Sequence, residues 1–222
     1  MTETYRALFI LCLSAICIAD TTTFTYKEAD RGVLSTSDFS VVSSGGGYQI
    51  SVSATKGKAR SMQDIVCDST YATLQLRYRS DPNTDISFRR NADHIELIGA
   101  LRGNQVKKIL TIDNHPWYQV VPLGLQTVSR DSGGRSKFWA VSVEQPAELK
   151  AVCFCIVGIA NAPQPGRPEI ACRRFHMKIE GLFTQIWVGD YFIRLEDHVF
   201  VYFQGYSFGS KKPTGTLDVV RH

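Results

Sequence analysis

The chain has 222 residues, of which 44% are apolar and 11% aromatic, and its formal net charge is +4. That length suits one β-rich or mixed domain with a sizeable core. Lys and Arg are scattered, which leaves out the concentrated basic face that nucleic-acid binding requires, and low-complexity tracts and internal repeats are absent.

At the N-terminus MTETYR precedes the apolar run ALFILCLSAICIA, and polar DTTT follows. The run is too short for a helix that crosses a bilayer, which needs about 20 residues. It fits the apolar centre of a secretory signal, with Cys17 and Ala19 as the small residues before a cut at Asp20. The reading is a signal peptide over 1–19 and a single domain over 20–222, exported to the periplasm or beyond in a bacterial envelope. A buried N-terminal strand or helix is the plainer alternative. Cys17 also raises lipid attachment, against which Ile16 stands where a small residue is expected.

Export leaves Cys67, Cys153, Cys155 and Cys172 in an oxidising compartment, as candidates for up to two disulfides in three connectivities. Cys153 and Cys155 lie two apart in AVCFCIVGI, so a strand directs both to one face and they make poor partners for each other. These two either pair elsewhere or stay as small buried apolar side chains.

Along the chain, YQISVSA follows SSGGG, which reads as a hairpin loop. In TYATLQLRYR, Ala72, Leu74, Leu76 and Tyr78 alternate with Thr73, Gln75, Arg77 and Arg79. IELIGALRGNQVKKILTID reads as two strands joined at Gly103-Asn104. DNHPWYQVVPLGLQTVSRDSGG breaks the rhythm. Asn114 caps, Pro116 lies in the first turn, and Trp117, Val120, Val121, Leu125 and Val128 follow helical spacing, which predicts a helix over 114–130 kinked at Pro122. FWAVSV, ELKAVCFCIVG, EIACRRFHMKI and HVFVYFQGYSF return to alternation.

Between the last two of these, EGLFTQIWVGDYFIRLED predicts a hairpin with Gly189-Asp190 as its two-residue loop. Trp187 would then face Phe192, Gln185 would face Arg194, and Phe183 would face Glu196. Both faces of that hairpin carry bulk, so something must cover the second face. With about a dozen short strands, the fold class is mainly β: a large curved antiparallel sheet or open half-barrel wrapped round one kinked helix.

The series DSTYATLQLRY, NTDISFRRNADHIELIGALRGNQVKKILTIDNHPWYQ, FWAVSVEQPAELK and IEGLFTQIWVGDYFIRLED resembles an uncharacterised family of exported bacterial domains. Those domains look like the open half-barrels of periplasmic lipoprotein carriers, in which a curved sheet wraps helices and leaves an apolar cavity. The resemblance spans roughly residues 24 to 206 and departs at Leu195, where an aromatic is usual. It implies a fold and a compartment, and it carries no catalytic residues.

The five histidines have no ligand spacing, and a G-x-S-x-G elbow is missing, so no metal, cofactor or catalytic residue is assigned and the chain reads as no enzyme. The ligand-binding candidates are Trp117, Trp139, Phe183, Trp187, Phe192 and Arg194. The aromatics would form a cavity wall and Arg194 would meet an anionic head group at its rim. The plain reading makes the tryptophans core and sets Arg194 in a cross-strand polar cluster with Gln185 and Glu196. Arg77, Arg79, Arg89, Arg90, Arg102, Lys107 and Lys108 give a basic outer face, with peripheral membrane attraction at most.

The expected role is binding of an apolar or amphipathic ligand, a lipid or an acyl chain. The rival is an envelope scaffold with a filled core and a protein partner. An outer-membrane barrel fits the strand count, but the outward faces of 70–79 and 105–112 are too rich in Arg, Lys, Gln and Thr for lipid.

Overall fold

The computed structural model describes residues 21–30, 33–80, 82–128, 135–142, 148–163, 169–179, 187–207 and 215–221. In chain order the strands are β1 (Thr21–Asp30), β2 (Val33–Ser44), β3 (Gly47–Lys56), β4 (Ala59–Asp68), β5 (Thr73–Ser80), β6 (Thr84–Arg90), β7 (His94–Leu101) and β8 (Asn104–Thr111). The helix α1 (Val121–Val128) follows. Then come β9 (Arg135–Ser142), β10 (Glu148–Asn161), β11 (Ala171–Ile179), β12 (Trp187–Arg194), β13 (Phe200–Ser207) and β14 (Gly215–Arg221). All fourteen belong to one sheet in the order β8-β7-β6-β5-β4-β3-β2-β1-β14-β13-β12-β11-β10-β9. β8 and β9 end that order without pairing with each other, so the sheet curls but does not close.

Period-two alternation builds the inner face. The register carries one row from strand to strand: Val41 opposite Ile50, then Ile65, Leu76, Phe88 and Leu97. Each of the six is at most 6% exposed. Their chain neighbours Gln49, Ser51, Asp64, Arg77, Ser87 and Arg89 face water. Buried residues from both halves of the sheet and from α1 form a single apolar cluster, which is possible only because the sheet bends round on itself.

A bulge between β4 and β5 breaks the alternation there. Cys67 pairs with Thr73 while Val66 pairs with Gln75, so Leu74 is left without a partner. Leu74 is therefore 40% exposed, contrary to its expected inward place, and Thr73 turns inward at 0%. The buried Thr73 then takes hold of the segment after β8. Its N–H donates to Trp117 O at 2.7 Å, and its Oγ1 accepts from Gln119 N at 3.1 Å.

That segment is where expectation and structure part most clearly. Of the helix predicted over 114–130, the described residues are helical only over Val121–Val128. Residues 116–118 are extended and pair in parallel with β9: Trp139 N–H donates to Pro116 O at 2.8 Å, and Tyr118 N–H to Trp139 O at 2.9 Å. The helical spacing of Trp117 and Val120 arises instead from a plug that buries its large apolar side chains, with Trp117 at 0%, Tyr118 at 5% and Val120 at 8%. Pro122 causes no kink, because it lies in the first turn of α1, where no intrahelical donor is needed.

Two turns also differ from expectation. The β7–β8 loop is Arg102-Gly103, one residue earlier than predicted, with φ of 51° and 82° at these two positions. Such a pair of positive φ values makes the primed turn that matches strand twist. The predicted hairpin at Gly189-Asp190 does not form, since β12 runs unbroken through both and pairs with β11 and β13. Asp190 suits mid-strand because its partners are distant in sequence. Its carboxylate, 3% exposed, takes Arg174 at 2.8 Å and His176 Nδ1 at 2.9 Å, both from β11.

Candidate functional site

The plug and α1 fill one side of the curled sheet and leave a cleft of about 470 Å³ on the other. Its depth is set by Phe24 and Tyr26 of β1, Val41 of β2, Leu123 of α1, and Val199 and Phe200 at the start of β13. The exposed Thr22 and Ser43, with Gln126 and the half-buried Tyr48 and Tyr71, stand at its mouth. Larger hollows of about 640 and 790 Å³ lie on the outer face. Those are lined in part by charged groups that pair with one another, Arg77 with Asp85 at 2.7 Å and Arg79 with Asp64, whereas the described lining of the cleft carries no charged side chain.

Aromatic rings make that wall, in a connected series. Phe24 stacks on Phe39 at 4.9 Å with 12° between planes, and Tyr26 lies 4.6 Å from Phe39. Tyr26 meets Phe200 edge-on at 5.3 Å and 69°, and Tyr191 continues the series at 5.7 Å from Phe200. Edge-on and offset contacts of this kind stabilise ring clusters beyond the area they bury. At the mouth Tyr48 and Tyr71 stack at 4.1 Å. Tyr71 is held there by a tight turn, its φ at 61°, in which Asp68 Oδ1 accepts from Thr70 N at 2.8 Å and Ala72 N at 3.0 Å.

Of the residues singled out from sequence, those described do not line this cleft. Trp117 is in the plug, against Phe88 at 6.4 Å. Trp139 is half-buried, on the face opposite the core residue Phe138, with its Nε1 donating to Asp113 at 2.8 Å and Lys137 Nζ 5.4 Å from its ring. Phe192 is 2% exposed but lies in a small separate cluster with Ala162, Cys172, Val201 and Tyr202, on the side of β12 away from Tyr191 and Ile193. Arg194 is bound by Asp197 through two contacts of 2.8 and 2.5 Å, with Glu196 acting on it electrostatically, and it is not among the residues that line the cleft. Phe183 and the side chain of Trp187 fall outside the described residues.

Of the disulfide candidates, Cys67 and Cys172 are free and buried in different clusters. Burial, the largest influence on each, pushes both thiols up to about 11. The side chains of Cys153 and Cys155 are outside the described residues. Among the described residues no group of three or more His, Cys, Asp or Glu is placed to hold a metal ion.

A second structured point fastens the plug to β9. Asp113 Oδ1 accepts from Trp139 Nε1 and, at 3.0 Å, from His115 N, with His115 Nδ1 2.8 Å away; Oδ2 takes Lys137 Nζ at 2.9 Å. Lys137 first, then Trp139 and His115, hold this carboxyl well below the usual carboxylate range.

Sequence reasoning missed Phe24, Tyr26, Tyr48, Tyr71 and Phe200. The signal was available in TTTFTYK, where Phe24 and Tyr26 alternate with threonines, and in HVFVYF, but neither stretch announces that its rings converge.

An unclosed antiparallel sheet curled round its own connecting segment defines a β-barrel-like protein. No family model matches the chain, and no curated protein sequence matches it. A solved structure similar to it is a β-barrel-like protein of the domain of unknown function DUF1849 from Brucella abortus. The likeness has a TM-score of 0.55 at 7% identity and covers 91% of this chain and 96% of that one. At that identity the likeness concerns the fold alone.

Proposed function

We propose that this chain binds a small apolar or amphipathic molecule, such as an acyl chain, in the cleft between β1–β3, β13 and α1, and that it does so as an exported envelope protein. The observation that carries the reading is the cleft itself. About 470 Å³ lies beside the rings of Phe24, Tyr26 and Phe200, with Thr22, Ser43, Gln126, Tyr48 and Tyr71 at its mouth. Small-molecule sites have this character, apolar in depth with a few polar groups at the opening, and the volume lies in their range of roughly 300–1,000 Å³. Binding would draw on apolar surface removed from water, about 25 cal/mol per Å², less the cost of ordering the guest. Export is supported by the thirteen-residue apolar run at 7–19. No reaction is assigned.

The rival, an envelope scaffold that holds a protein partner, draws on the packing at the plug. There Trp117, Leu125 and Phe138 are at 0% and Phe88 at 1% exposure, so that part of the interior is full. Gentle purification followed by denaturing mass spectrometry separates the two. The carrier reading expects a co-purifying lipid that is lost in Ser43→Trp, a substitution at the exposed mouth that blocks the cleft without overfilling the core, with an unchanged melting temperature. A clean protein that also fails to take up an added acyl chain would refute it.

A further inference from the structure

We propose that the open edge of β8 takes an extended acidic segment of a partner protein as an added strand, its carboxylates meeting Lys107 and Lys108. Of the two strands that end the sheet, β9 has a partner in the plug: Trp139 gives its N–H to Pro116 O and takes that of Tyr118. β8 pairs with β7 from Leu101–Asn104 to His94–Thr111, and with no described strand on its other side. The two-residue loop Arg102-Gly103 decides which backbone groups point outward. Residues flanking such a loop exchange both hydrogen bonds, and the ladder alternates from there. Asn104, Val106, Lys108 and Leu110 therefore bond to β7, and the N–H of Ile112, given to Asp93 O at 2.9 Å, keeps the same alternation. Gln105, Lys107, Ile109 and Thr111 turn their N–H and C=O groups away from β7. A row of this kind is a template for one more strand.

The side chains select which strand that is. Gln105, Lys107, Ile109 and Thr111 are all exposed, Ile109 at 61%, and Ile98 opposite Lys107 is 46% exposed. Lys108 is exposed as well and belongs to the other face of the strand, so a cation stands on each side of the edge at its middle. Lys107 meets Glu96 at 4.0 Å and keeps 72% of its side chain exposed. Edge lysines turn away strands that bring no counter-charge, and the same groups admit a strand that supplies carboxylates at the facing positions. They also tell against a second copy of this chain. When two β8 edges pair antiparallel, the registers with most overlap set Lys107 opposite Lys107 or Lys108 opposite Lys108, and like charges directly opposite are unfavourable. The partner segment is therefore acidic at two successive positions, one for each face, with an apolar side chain beside Ile98 and Ile109.

The test uses the full chain and a labelled peptide matching the 8 residues of β8, alternating threonine and valine with two glutamates at its centre, beside a twin carrying two lysines there. Fluorescence anisotropy should show the acidic peptide bound about tenfold more tightly than the basic one, as two exposed ion pairs would give. The double variant Lys107→Glu, Lys108→Glu should reverse that preference. With the acidic peptide bound to the parent, amide exchange followed by NMR should slow at Gln105, Lys107, Ile109 and Thr111 and stay as it was at Val106 and Lys108. Failure of the acidic peptide to bind, equal binding of the two peptides, or binding that leaves those four amides unprotected would overturn the proposal. So would a parent that sediments as a dimer with the same four amides already protected, since a second copy would then hold the edge.

Discussion

Replacing Gly124 by alanine tests the packing that holds α1 against the plug. A β-carbon added at Gly124 would lie 2.5 Å from Cγ and Cδ1 of the Tyr118 ring and 2.8 Å from Cδ2. Unstrained carbon contacts are about 3.5–4.0 Å, so ring or helix must yield by about 1 Å. The ring has little room to do so. Tyr118 is 5% exposed and leans on Phe138, itself at 0%, with centroids 5.4 Å apart. In an open helix the substitution would stabilise by about 1 kcal/mol, because glycine is a poor helix former. Overfilling a packed site costs about 1–3 kcal/mol, and three ring atoms in collision place this site toward the upper end. The expected net loss is therefore about 1–2 kcal/mol. Urea unfolding would read it as a lower midpoint at unchanged slope. In a Tyr118→Leu background, where the ring is gone, the same substitution should be neutral or stabilising. A Gly124→Ala protein as stable as its parent would show that the contact is loose and the reasoning wrong.

Three further outcomes are expected. Asp113 is held ionised by Lys137, Trp139 and His115; its stabilising contribution is complete above the unfolded value of about 4 and fades as pH falls toward the folded one. Asp113→Asn should lower stability near neutrality and flatten the acid side of the stability-pH curve between pH 4 and lower values, measured by thermal melts across pH. Cys67 and Cys172, with thiols pushed up to about 11 by burial, should resist iodoacetamide at pH 7 in the native protein and react once urea unfolds it, as mapped by peptide mass spectrometry. Leu74→Asn should change stability by no more than about 0.5 kcal/mol, as for an ordinary surface position, although its place in TYATLQLRYR suggests a core leucine; a loss of 2 kcal/mol or more would mean that the bulge does not expose it.

Much of the sheet was legible because alternation is a local property. The inward places of Ile50, Val52 and Leu76 follow from period two and from which neighbours are polar, and the glycines at 45 and 46 mark their own loop. What failed was whatever depends on partners far along the chain. Gly189-Asp190 has the composition of a turn, and only the arrival of Arg174 and His176 from β11 makes Asp190 a strand residue. Trp117, Val120 and Val121 have helical spacing, yet the backbone of 116–118 is claimed by Thr73 and Trp139. Leu74 leaves the core because of a two-for-one pairing with β4 that no periodicity encodes. The site suffered most, since its wall is assembled from β1, β2, β13 and α1, and no single stretch holds more than two of its aromatic residues.

The strand order has a bearing on how the chain reaches this state. Every ladder joins strands that are consecutive in sequence, except the one between β1 and β14. Two meanders can therefore form from hairpins alone, each with short loops to close, before they meet. Their union waits on seven residue pairs from Phe24–Arg221 to Asp30–Gly215, a step that draws together the remotest described parts of the polypeptide and bears the largest loop-closure entropy. That seam should form last and open first, and because Phe24 and Tyr26 lie along it, a guest seated beside them would act as a clasp on the molecule's slowest joint.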